Sequence, residues 1–221
     1  MVAVTLVAVL TIKKQGQDDI EKYKAEELAK VRHNLKNLSY MAYGIVEKND
    51  KTASDKKFLE KYYGVRLKDA ISIAEPILKE NAKMAREGKK TLSQAKKDAF
   101  AAISSIRYDN GTGYFWINDT TLPYPRMIMH PTLPELDGKI LDDPKFSCAL
   151  GKKKNLFQAF AEVTRAQGEG FVDYFWPKPT KDGLVPQVPK LSYVKLFREW
   201  DIIIGTGIYI DDALRDAMEK S

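Results

Sequence analysis

Gly111–Asp119 reads GTGYFWIND, and Gly205–Asp211 echoes it as GTGIYID. Each is a glycine-punctuated turn running into an apolar, β-rich stretch that ends on aspartate. Side chains alternate across a strand, so Tyr114 and Trp116 point to one side and Phe115 and Ile117 to the other. The strand is therefore covered on both faces. On one of them a tyrosine hydroxyl and an indole N–H need polar partners, which backbone groups of an ordinary core or a small polar ligand would supply.

Working back from this strand, Thr91 with Gln94 three residues on is a capping-box pattern. It opens a helix whose apolar face is Leu92, Ala95, Ala99, Ile103 and Ile106, and which ends at Arg107 and Tyr108. Asp55–Arg86 reads as one or two helices, interrupted near Gly64 and Pro76 because proline removes a backbone donor and clashes with the preceding turn. From Gln17 to Glu47 the pattern is again helical. Leu28, Val31, Leu35, Leu38, Ala42 and Ile45 recur in steps of three and four, a stripe suited to packing on the chain's own helices and to a homodimer. Such a helix is about 45 Å long. Met1–Ile12, MVAVTLVAVLTI, is uncharged and apolar and is followed by Lys13 and Lys14. It is shorter than the roughly 20 residues that span a bilayer, and reads as the end of a transmembrane helix or as part of a signal peptide.

Downstream of Asp119, RMIMH (residues 126–130) is expected to pair with GYFWI as a hairpin. Thr132–Leu150 reads as a long loop, Asn155–Ala166 as a short helix and Phe171–Trp176 as a third strand. Pro177–Pro189 reads as a second loop, Lys190–Phe197 as a fourth strand and Trp200–Ile210 as a fifth. Asp211 or Asp212 then caps a terminal helix. The fold class is α+β, with helices followed by an antiparallel sheet of about five strands.

The charge of +6 and pI near 9.1 come from basic residues interleaved with acidic ones, which describes a solvated surface and not a nucleic-acid footprint. The single Cys148 makes no internal disulfide. The sequence contains no nucleophile elbow, phosphate loop or zinc helix. Its two histidines, His33 and His130, stand in unrelated contexts, and the neighbouring carboxylates Asp142 and Asp143 point apart. An enzyme is not expected, nor a metal or other cofactor, although one histidine would suffice for an axial haem ligand.

The ordered set GYFWIND, MHP, GFVDYFWPKP, KLSYVKLF and IIGTGIYIDD resembles the single, type-two Cache sensor domain of bacterial chemoreceptors and sensor kinases. The resemblance runs over residues 15–215. Residues 1–14 would then be the end of a transmembrane or signal segment, and 216–221 the start of an exit helix. It implies a long N-terminal helix packed on a PAS-like sheet of five to six strands, located outside the cytoplasm and tethered to the membrane in the full-length protein. It also implies recognition of a small metabolite, often a short carboxylate, with binding passed on through the terminal helices. A partner-binding or dimerisation module without a small ligand is the alternative.

The expected site comprises Arg107, Tyr114, Trp116, His130, Trp176, Lys178 and Tyr193. Arg107 suits bidentate carboxylate recognition. His130 would donate to a carboxylate and bind better as pH falls. Lys178, held beside Trp176 and Pro177, would find its anion in the ligand. Tyr114, Trp116, Trp176 and Tyr193 would furnish walls and hydrogen bonds. Met127 and Met129 are expected to face away from His130, toward the helices.

Overall fold

The computed structural model describes residues 15, 17, 19–28, 30, 52–149, 151 and 154–212. The chain divides into two units, residues 1–51 and 52–221. The described residues of the first unit are helical, with Ile20, Tyr23 and Leu28 exposed. Met1–Ile12, the stripe from Val31 to Ile45 and residues 216–221 lie outside the described residues.

The second unit begins with α1 (Thr52–Arg86) and α2 (Leu92–Ser105). Thr91 Oγ1 accepts the Gln94 backbone N–H at 3.1 Å, so α2 starts where the capping pattern places it. Contrary to the expected interruptions, α1 runs through both Gly64 and Pro76. Pro76 is on the exposed side, whereas Leu67, Ile71, Ala74, Leu78 and Ala82 form a continuous buried stripe. Burial of that stripe outweighs one lost backbone bond whose carbonyl faces water. Gly64 admits a neighbour: a Cβ built there would stand 3.1 Å from the Phe171 ring.

The strands are β1 (Phe115–Asp119), β2 (Met127–Met129), β3 (Glu169–Thr180), β4 (Gly183–Phe197) and β5 (Ile202–Tyr209), with α3 (Leu156–Gln167) between β2 and β3. They form one antiparallel sheet in the order β2-β1-β5-β4-β3. The two glycine stretches are therefore adjacent strands, with Trp116 opposite Gly205. Gly205 and Gly207 lie within β5 and not in a turn before it.

Pro177–Pro189 is likewise not a loop. It is the distal half of a long β3–β4 hairpin that reverses between Thr180 and Gly183. In this extension β4 no longer pairs with β5, so each strand has a free edge toward which a proline nitrogen is tolerated. The segment 132–149 is irregular, with two 3-10 turns at Pro134–Leu136 and Pro144–Phe146.

The sheet carries a separate core on each face. One face packs Phe115, Ile117, Leu191, Ile204 and Ile208 against α1 and α2. An ion pair of 2.9 Å between Lys195 and Glu75 ties β4 to α1. The other face packs Tyr114, Trp116, Tyr174, Trp176 and Tyr209 beneath α3 and the irregular segment, which contributes Leu136, Leu141, Phe146 and Ala149. The methionines of β2 divide between them. Met129 joins the helix side as expected, but Met127 joins the opposite core. A register shift between Ile117 and Asn118 disrupts the simple alternation.

Candidate ligand-binding site

The site face of the central strands is hollowed by small residues. Across β4 and β5 the pairs are Ser192 with Gly207 and Val194 with Gly205. A Cβ at Gly205 would stand 2.2 Å from the Trp116 ring, and one at Gly207 would stand 2.1 Å from Ser192 Oγ and 2.9 Å from Lys190 Cε. The two glycines thus let an indole and a lysine stem lie flat on the sheet.

Lys190 is the residue that sequence reasoning missed. It is 1% exposed, and its ammonium donates to the Tyr114 hydroxyl at 2.9 Å. The ammonium stands 4.0, 4.6 and 5.4 Å from the ring centroids of Tyr114, Tyr209 and Trp116, within cation–π range. Among the described residues no carboxylate pairs with it. Burial lowers its pKa, with the Tyr114 hydroxyl acting in the opposite sense.

Around it stand hydrogen-bond donors. The indole N–H groups of Trp116 and Trp176 are buried and have no acceptor among the described residues. His130 is buried, with its ring 5.3 Å from Tyr114 and 5.5 Å from Trp176. Its Nδ1 accepts the Leu133 backbone N–H at 3.1 Å, which assigns the neutral tautomer with the proton on Nε2. Burial, reinforced by the charges of Lys190 and Arg107, pulls its pKa down to about 3. This corrects the expected charge switch: His130 is a neutral donor near pH 7, and mild acidification does not charge it. Tyr114 accepts from Lys190, and its own O–H is directed at the Tyr209 hydroxyl oxygen 3.4 Å away, whose proton goes to the Pro177 carbonyl. The arrangement is one positive charge ringed by N–H and O–H groups, which suits a single small anion.

The structure thus brings Tyr114, Trp116, His130 and Trp176 together with Lys190. The other three expected residues are placed elsewhere. Lys178 is 6% exposed and meets an anion as expected, but the anion belongs to the chain: it bonds Asp211 and Asp212 at 2.7 and 2.6 Å. Tyr193 is on the opposite face, against Phe171 at 5.0 Å. Arg107 is exposed and donates to the carbonyls of Ser104 and Ile106. The nearby Asp109 pairs with Arg66. The signal for Lys190 lay in the alternation of KLSYVKLF, which places Lys190 and Ser192 on one face and Leu191 and Tyr193 on the other.

Comparison with known proteins accords with this architecture. Residues 13–220 match the family model described as a Cache domain. The methyl-accepting chemotaxis protein McpP of Pseudomonas putida is 39% identical over 140 residues, covering 58% of this chain and 23% of McpP. The chain therefore spans only about a quarter of that receptor's length. A solved periplasmic sensor domain of a chemotaxis protein is 37% identical with a TM-score of 0.57, covering 66% of this chain and 94% of its own. A structure described as the basis for carboxylic acid recognition by a Cache chemosensory domain is 32% identical with a TM-score of 0.60, covering 70% and 97%. Among the described residues no helix is long and apolar enough to cross a membrane. The chain belongs to the Cache family of sensor domains.

Proposed function

We propose that this chain is the extracytoplasmic sensor part of a chemoreceptor or sensor kinase and binds a short monocarboxylate at Lys190. The observation that carries this reading is the buried ammonium that no carboxylate pairs with among the described residues. Burying a charge is costly unless it is paired and hydrogen-bonded, and an incoming carboxylate would supply the pair. Trp116, Trp176, His130 and Tyr114 would donate to its oxygens, and the aromatic rings would enclose its apolar end. Among the described residues the buried ring itself holds no second cation for a dicarboxylate and no carboxylate for the ammonium of an amino acid. Arg107, outside the ring but close enough to depress the His130 pKa, would draw anions toward the site. In the full-length protein the domain would be membrane-tethered and dimeric through the N-terminal helix.

The test is calorimetric titration and thermal unfolding with formate, acetate, propionate, butyrate, succinate and alanine. Acetate or propionate at a hundred times its dissociation constant should add about 2.7 kcal/mol of stability, while succinate and alanine leave the midpoint unmoved. Lys190→Met should lose about a hundredfold or more in affinity and yet unfold at a higher temperature, because a buried charge has been removed. A Lys190→Met variant that binds as tightly as the parent refutes the site. A flat panel favours the partner-binding alternative.

A further inference from the structure

Two ammonium groups share the Tyr209 ring. The Lys190 ammonium is 4.6 Å from its centroid and the Lys178 ammonium 5.6 Å. The Tyr209 hydroxyl stands 3.4 Å from that of Tyr114, which accepts from Lys190. On the other side it donates to the Pro177 carbonyl at 2.7 Å, immediately before Lys178. Tyr209 is the last residue of β5, and Ile210–Asp212, which follow it, are helical. The carboxylates that hold Lys178 belong to that same turn. One side chain therefore touches both the anchor for the carboxylate and the clamp on the chain as it leaves the sheet.

We propose that Tyr209 is the element that transmits occupancy of the Lys190 site to the Lys178–Asp211–Asp212 clamp. The inference rests on the reading of Lys190 as the carboxylate anchor. An arriving anion takes the Lys190 ammonium as its partner and weakens that ammonium's hold on the rings of Tyr114 and Tyr209. Tyr209 then readjusts its bonds to Tyr114 and to Pro177. Pro177 precedes Lys178 on the β3 backbone, so the readjustment reaches the clamp directly. The ligand biases the clamp only because it interacts differently with the two arrangements of this ring.

The experiment is amide hydrogen exchange over residues 208–212 of the full chain, with and without acetate, at a concentration that titration shows to be saturating for each variant. In the parent, acetate should change exchange at Ile210–Asp212 by about fivefold or more, the lower end of ordinary coupling between sites. Tyr209→Phe, which keeps the ring and loses both hydroxyl contacts, should abolish the response. Lys178→Met should accelerate exchange at Ile210–Asp212 without acetate and make it insensitive to acetate. Acetate binding with no change at these residues overturns the relay and leaves the Lys190 site standing. A full response retained in Tyr209→Phe overturns the role of Tyr209. If no acid in the panel binds the parent, the site and the relay fall together.

Discussion

The two faces of the sheet are built on opposite terms. Toward α1 and α2 the buried residues are almost all aliphatic or aromatic hydrocarbon, among them Ile71, Leu78, Ile103, Ile117 and Ile204. Toward α3 the core is aromatic and polar, and it encloses Lys190, His130 and two indole N–H groups without acceptors among the described residues. The first face stabilises by removing apolar surface from water. The second retains unsatisfied polar groups that lower stability and that a ligand would satisfy. Mutations on the two faces should therefore separate stability from binding.

The largest effect is expected from acid. His130 titrates near 3 in the folded chain and near 6.5 unfolded. Between those values the unfolded state binds the extra proton, so stability falls as pH drops through this window and is level, for this group, above it. At about 1.4 kcal/mol per pKa unit the loss is on the order of 5 kcal/mol by pH 3. His130→Gln should flatten this limb in chemical denaturation at a series of pH values. A limb of unchanged slope would show that His130 is not held neutral by the site face.

Next is a truncation on the helix face. Leu78 is fully buried in α1, and Leu78→Ala should cost about 2–5 kcal/mol of stability through lost transfer energy and the cavity left behind. Acetate affinity, measured well below the unfolding midpoint, should not follow. A parallel loss of affinity would mean that the two cores are not separable.

The contrast also explains which parts were readable from the residues. Alternation in GYFWIND and GTGIYID located two neighbouring strands, and the Thr91–Gln94 pair located the start of α2, because these are local preferences that the folded chain keeps. Gly64, Pro76 and the prolines of the β3–β4 hairpin misled, because breaker residues act through particular backbone groups. Where those groups face water or a free strand edge, the element continues. Within the site, Tyr114, Trp116, His130 and Trp176 were legible as polar-tipped residues facing a core. Lys190 was missed, because a strand lysine is normally solvated: alternation put it on the face shared with Ser192, but the space that receives it is opened by the pairing of Ser192 with Gly207 in the folded sheet. Lys178 was recognised as needing an anion, but the identity of that anion depended on where Asp211 and Asp212 fold back.

A smaller effect should come from the orphaned indoles. Trp116→Phe and Trp176→Phe each remove a buried N–H while keeping an aromatic ring. In the unliganded protein, losing a donor that has no acceptor among the described residues offsets part of what the smaller ring costs in packing, so the unfolding midpoint should fall less than in Leu78→Ala. With acetate bound, each should weaken affinity by about fivefold, the value of a hydrogen bond worth about 1 kcal/mol. A variant that loses stability without losing affinity would identify its indole as a packing element only.

The smallest expected effect is the most discriminating. Tyr193 lies one residue from Ser192 and three from Lys190, close enough in sequence to belong to the same site, yet alternation turns it to the helix face. There it stacks near Phe171, and the Lys68 ammonium is 5.6 Å from its ring. Burial and the neighbouring Glu169 push its hydroxyl pKa up, so it is a neutral group across any ordinary pH range. Tyr193→Phe removes only that hydroxyl and should leave acetate affinity within about twofold, since the sheet itself separates it from Lys190. Tyr114→Phe, on the same sheet but on the site face, removes one of the proposed hydroxyl donors to the carboxylate and should weaken binding measurably. Equal responses from the two tyrosines would break the two-face division, because a single-residue step along a strand would no longer decide whether a side chain reads the ligand.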